Sequence, residues 1–212
     1  MKLNLSIKTK LFILIFTLLT QPLTAQARDS LAALRADMEA TTANLQAQIA
    51  ALQEGGAAAI QYNIGDTGPA GGIVFFVDFS GAHGLEAAPE DQGEASWGCN
   101  GIYIPKAVRH EVGTGAQNTM DILEDCSEIG IAAEIAHNYM LNGFNGWFLP
   151  SVDELYLLYL TRSVVGGFGN GRYWSSTGVS DSLTSTIDFV SGDQFLRNKD
   201  NHHTNVRAIR AF

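Results

Sequence analysis

The chain has 212 residues, 46% of them hydrophobic, so it can bury a core of its own, and its 22 glycines favour turns over long helices. Thirteen basic side chains face 22 acidic ones, a formal net charge of −9 at neutral pH. Such a surface repels phosphate backbones and anionic membranes, so no nucleic acid is expected as a partner.

Residues 1–10 carry three lysines and no acid, residues 11–19 are almost wholly apolar, and Ala25-Gln26-Ala27 has small residues at the two positions a signal peptidase inspects. This pattern predicts a secretory signal peptide over residues 1–27, cleaved after Ala27. Gln21 and Pro22 interrupt the apolar run before the roughly 20 residues that a membrane span needs, so no span is expected after cleavage. No Cys follows the cleavage site to carry a lipid. The expected destination is the periplasm, the cell surface or the medium. Loss of Lys2, Lys8 and Lys10 leaves 10 basic against 22 acidic side chains, a net charge of −12.

Residues 30–53 contain no Gly or Pro and are dominated by good helix formers. Leu31, Met38, Leu45 and Leu52 recur every seven residues, with either Leu34, Thr41 and Gln48 or Arg35, Thr42 and Ile49 as the companion row. A lone helix about 36 Å long is marginal in water. The segment 28–56 therefore reads as a coiled-coil stalk that makes the chain a homo-oligomer, a dimer or trimer, through residues 30–53. The other reading is a helix folded back on the globular part. Gly55-Gly56 stops the helix, and residues 57–63 form a linker.

The globular domain is expected over residues 64–212. Its first turn, Gly65-Asp66-Thr67-Gly68-Pro69-Ala70-Gly71-Gly72, precedes a strand at 73–79. The turn lacks the lysine of a P-loop and leads into a strand rather than a helix, so phosphate is not expected there. Residues 81–101 read as loop with a short strand at 85–89, and Glu90, Asp91 and Glu94 lack the spacing of an EF-hand. A structural calcium is not indicated, and neither is any other cofactor. A short helix from Gln117 leads to Cys126, and Ile131, Ala132, Ile135, Ala136 and Tyr139 make a second apolar helix face that carries His137. Cys99 and Cys126 are the only cysteines, an even count in an exported chain, and a disulfide between them would contribute on the order of 3 kcal/mol.

The strongest local instructions lie in residues 142–158. Two Asn-Gly pairs turn the chain, Trp147-Phe148-Leu149 runs as a buried strand, and Pro150 ends it. Ser151 and Glu154 then form a capping box for an amphipathic helix. Residues 166–171 are loop and 173–177 a strand; residues 182–190 and 194–197 form a hairpin turning at Ser191-Gly192-Asp193. Residues 199–203 read as polar and exposed, and residues 206–212 as a closing strand. The class is α+β with a mainly antiparallel sheet.

No catalytic residues are expected. The five histidines, 83, 110, 137, 202 and 203, have no zinc-site spacing, so no metal is assigned. Ser175 and Ser176 lack the Gly-X-Ser-X-Gly elbow of a hydrolase.

Several blocks, in order, resemble the Lcl C-terminal domain family of exported bacterial proteins. They are Ile64-Gly-Asp-Thr-Gly-Pro-Ala-Gly-Gly-Ile-Val-Phe-Phe-Val77, Leu85-Glu-Ala-Ala-Pro-Glu-Asp-Gln92, Trp97-Gly-Cys99, Gly113-Thr-Gly-Ala-Gln-Asn-Thr119, Trp147-Phe-Leu-Pro-Ser-Val-Asp-Glu-Leu155, Tyr173-Trp-Ser-Ser176 and Val206-Arg-Ala-Ile-Arg210. The resemblance covers residues 62–212. It implies a C-type lectin-like fold with two or three helices, related in shape to formylglycine-generating enzymes, with glycan or host-surface binding in some members. The calcium-chelating triplets of true C-type lectins are missing, and Cys99 and Cys126 do not match the copper-binding cysteines of the formylglycine-generating enzymes.

By that analogy a saccharide site falls on the loops and late strands. Trp174 would stack on a sugar face, and Asp193, Asn198, Asp200, Asn201 and His202 would bond its hydroxyls; alternatively Trp174 belongs to the core. The expected function is an exported, non-catalytic adhesion module for a glycan or surface protein, with a structural fibre tip or a relative of the formylglycine-generating enzymes as the alternatives.

Overall fold

A computed structural model describes residues 25–54 and 60–212. Residues 1–24 of the expected export signal, the Gly55-Gly56 stop and residues 57–59 of the linker lie outside the described residues. The chain divides into two compact units, one ending at Ala58 and one running from Ala59 to Phe212.

In the first unit, α1 (Ala25–Glu54) is one unbroken helix, as the run of Ala, Leu, Gln and Glu without Gly or Pro dictates. Leu31, Leu34, Met38, Leu45 and Ile49 stand exposed along it. Among the described residues, no helix is long and apolar enough to cross a membrane.

The second unit is mixed α+β, with four helices among its described residues where two or three were expected, the extra one being the single turn Arg162–Val165 that follows directly on the helix before it. Its elements are β1 (Ile73–Val77), β2 (Gly84–Ala87), β3 (Glu94–Ala95), α2 (Gly115–Asp125), α3 (Ala132–Asn138), β4 (Trp147–Phe148), α4 (Val152–Leu160), α5 (Arg162–Val165), β5 (Arg172–Gly178), β6 (Leu183–Asp188), β7 (Gln194–Asn198), β8 (Thr204–Asn205) and β9 (Ile209–Ala211). They build two sheets, ordered β1-β2-β9-β4 and β3-β8-β5-β6-β7, in which every pairing is antiparallel except β5 with β8.

The expected single closing strand over 206–212 is instead a crossing between sheets. β8 pairs with the five-stranded sheet and β9 with the four-stranded one. Val206, Arg207 and Ala208 between them are all buried, which breaks the inside–outside alternation a continuous strand would need. His137 is corrected too: it lies exposed at the end of α3 rather than among apolar neighbours.

The predicted turn, strand and helix of 142–158 are present. Asn142 adopts φ 52°, β4 is fully buried, and Ser151 caps α4 in a complete capping box. Glu154 also accepts from Gly113 N at 2.7 Å, so the cap fastens the loop before α2 to the start of α4. Burial pushes the Glu154 carboxyl up, and the hydrogen bonds from Ser151 and Gly113 oppose that shift. Two apolar clusters result. One gathers Trp97, Ile104, Ile122, Ile131, Trp147, Leu149 and Trp174; the other packs Leu155 and Leu158 of α4 against Phe75, Tyr173, Ile187 and Ile209.

Candidate functional site

The fully buried ionisable side chains Glu86, Glu154, Lys199 and Arg207 sit where loops must be held, and each has its partners inside the scaffold. Glu86 on β2 is fully buried; its carboxylate accepts from Ala70 N at 3.2 Å and Gly72 N at 3.0 Å and pairs with Arg210 on β9 at 3.0 Å. The glycine-rich turn is therefore an anion nest already filled by the protein's own carboxylate. Arg207, also fully buried, pairs with Asp91 at 2.7 Å and donates to Ala88 O, Gly166 O and Gly167 O. Its guanidinium lies 3.9 Å from the centre of the Phe168 ring. The Tyr173 hydroxyl donates to the other Asp91 oxygen at 2.6 Å, and burial, then this bond, pushes its pKa far up. Asp91, Tyr173 and Arg207 thus lock the 166–169 loop.

Lys199 overturns the reading of 199–203 as wholly exposed. It is fully buried, with Nζ 2.7 Å from Ile102 O and 4.5 Å from the centre of the Trp97 ring. Burial pulls its pKa down, and nearby Asp181 partly offsets this. Its backbone is used as well: Lys199 O accepts from Trp97 N and Gly98 N, and Lys199 N donates to Ser182 O. A single inward residue therefore ties the turn after β7 to two other loops.

One of those loops starts at Cys99, which adopts φ 49° and is disulfide-bonded to Cys126 at the end of α2, with their Cα atoms 5.8 Å apart. The cross-link inferred from the cysteine count is thus present. The loop continues through Gly101, whose N–H donates to Asp181 O at 3.0 Å, while Asn100 reaches Asp200 at 3.5 Å. Three segments, near 98–104, 179–182 and 198–203, therefore form one cross-braced rim.

The predicted site residues fall in different places. Trp174 is fully buried in the core and its indole N–H donates to Ala95 O at 2.8 Å. It offers no ring face to a sugar, because the segment from Ala95 to Ala107 packs over this side of β5. Asn198, Asp200, Asn201 and His202 come together on the rim. Asn198 accepts from Asp200 N, and Asn201 from His203 N and Thr204 Oγ1, so both amides shape the turn. Asp200 and His202 project outward. Asp193 lies at the opposite end of β7 and does not join them.

The exposed aromatic residue on the rim is Tyr103, which is 52% accessible beside Ile102. Sequence reasoning missed it. The apolar triplet Ile102-Tyr103-Ile104, placed in a loop next to a cysteine, was the available signal.

Elsewhere, a shallow pocket of about 250 Å³ at the end of the four-stranded sheet is lined mainly by Phe76, Asp78, His83, Val112 and Phe212. Among the described residues, the group with metal-ligand spacing is Cys99, Cys126 and Glu128, but both sulfurs are consumed by the disulfide. Comparison of the chain with protein-family models and with curated proteins finds no match in either.

Proposed function

We propose that the chain is an exported, non-catalytic recognition module of C-type lectin-like shape, akin to the Lcl C-terminal domains, that binds a glycan or surface ligand on the rim. The observation that carries this reading is a division of labour. Buried ionisable groups close loops, whereas Tyr103, Asn100, Asp181, Asp200 and His202 stand exposed on segments fixed by Lys199 and the disulfide. A rigid rim spends little entropy on ordering itself around a ligand. Tyr103 supplies a flat apolar face for a sugar ring, and the carboxylates, amide and imidazole supply partners for its hydroxyls.

We infer further that the chain self-associates through the apolar row of α1. Among the described residues, Leu31, Leu34, Met38, Leu45 and Ile49 stand exposed, and pairing them with the same row of other copies would make a dimer or trimer. Several low-affinity rims on one stalk would then hold a repetitive surface by avidity.

Glycan-array binding by the full chain tests the reading. Tyr103→Ala should abolish the signal of the parent while lowering its melting temperature only slightly, because about half of Tyr103 is open to solvent. Binding that survives Tyr103→Ala, or turnover of any arrayed sugar, would contradict the proposal.

A further inference from the structure

The described sheets have four edges, and three are blunted. β3 and β4 are two residues long. β1 carries a bulge between Val74 and Phe76, and its outer side is capped by the chain at 65–67, through Gly65 N to Val74 O, Val74 N to Asp66 O and the Thr67–Ile73 bridge. β7 has no such device. It is five residues long, pairs with β6 in unbroken register, contains no proline and has nothing across its outer side among the described residues. Edges of this kind are templates for another strand.

The hydrogen-bonding phase of β7 identifies which groups are free. Asp188 N donates to Asp193 O and Lys199 N to Ser182 O, so odd-numbered residues turn their backbone groups toward β6 and even-numbered ones turn theirs outward. Gln194 and Leu196 therefore present N–H and C=O groups to solvent. Asn198 does so only in part, since its carbonyl already accepts from Asn201 N.

We propose that β7 pairs antiparallel with β7 of a second copy about a two-fold axis at Phe195, joining the two five-stranded sheets. In this register Gln194 and Leu196 of each copy exchange both backbone hydrogen bonds, which uses the free groups and leaves the occupied Asn198 carbonyl alone. Phe195, 37% exposed, meets Phe195 of the second copy in the closer, non-bonded kind of pair. Asp193, exposed and with no side-chain partner among the described residues, comes opposite Arg197. Arg197 in turn has a buried Nε without any hydrogen-bond partner. Centring the axis on Leu196 would require the engaged carbonyl, and centring it on Arg197 would set two guanidinium groups face to face.

A ladder this short buries less than the roughly 1,200 Å² of a stable interface, so a covalent trap is the suitable probe. The native cysteines are bonded to each other, which leaves an introduced thiol as the free one. Full-length Phe195→Cys should form an inter-chain disulfide under mild oxidation, because Cα atoms about 4.5 Å apart across the axis fall within disulfide reach. Asn198→Cys, also exposed but about 20 Å from its own copy in this register, should cross-link roughly tenfold more slowly, at the rate set by tethering alone. Arg197→Asp in the Phe195→Cys background should slow the trap, and adding Asp193→Arg should restore it. Equal rates for Phe195→Cys and Asn198→Cys, or no restoration by the charge swap, would overturn the proposal. Neither outcome depends on whether the rim binds a glycan.

Discussion

Arg207→Met is expected to destabilise the globular unit by about 3–5 kcal/mol, the cost of stranding one partner of a buried ion pair. The methionine would fill much of the volume but leave Asp91 without its guanidinium and the carbonyls of Ala88, Gly166 and Gly167 without their donor. Phe168 would also lose the cation over its ring. Urea unfolding of the parent and the variant reads the difference as a shift in midpoint at constant slope. Adding Asp91→Asn should recover part of the loss, since the neutral amide no longer needs a cation, and the double variant should be less destabilised than the two single effects summed. A loss below 1 kcal/mol would mean that the 166–169 loop is held by other contacts.

Replacing both Cys99 and Cys126 by serine is expected to cost about 3 kcal/mol by the loop-closure model, for residues 27 apart in sequence. For a unit of this size that is roughly 6–12 °C in melting temperature. The effect should not stop at stability. The Cys99 loop carries Asn100, Gly101, Ile102 and Tyr103, and through Ile102 O it also accepts from the buried ammonium of Lys199. With the tether removed, the positive φ of Cys99 is no longer imposed and the rim loses one of its braces. Calorimetry and glycan binding on the same variant should therefore both fall. Full retention of binding in the serine variant would show that the disulfide serves the core alone.

Legibility in the sequence followed how local each instruction was. The 142–158 segment was readable because the Asn-Gly turns, Pro150, Ser151 and Glu154 act on neighbours within a few residues. The disulfide was readable from an even cysteine count in a chain expected to be exported. Trp174 was ambiguous because strand alternation says which residues share a face but not what covers it, and the covering segment begins at Ala95, far away in sequence. Lys199 was misread for a related reason. A lysine among Asp, Asn and His residues reads as solvated, and only the three-dimensional approach of Trp97 and Ile102 shows why it turns inward. The division of 204–211 between two sheets was hidden because Arg207 looks like an outward strand residue until Asp91 and the 166–169 loop are placed around it.

Hydrogen–deuterium exchange on the full chain, with and without a glycan selected on the array, tests the rim most directly. Protection on binding should concentrate in residues 98–104, 179–182 and 198–203. Protection confined to the walls of the Phe76, His83 and Phe212 pocket, with the rim unchanged, would contradict the assignment.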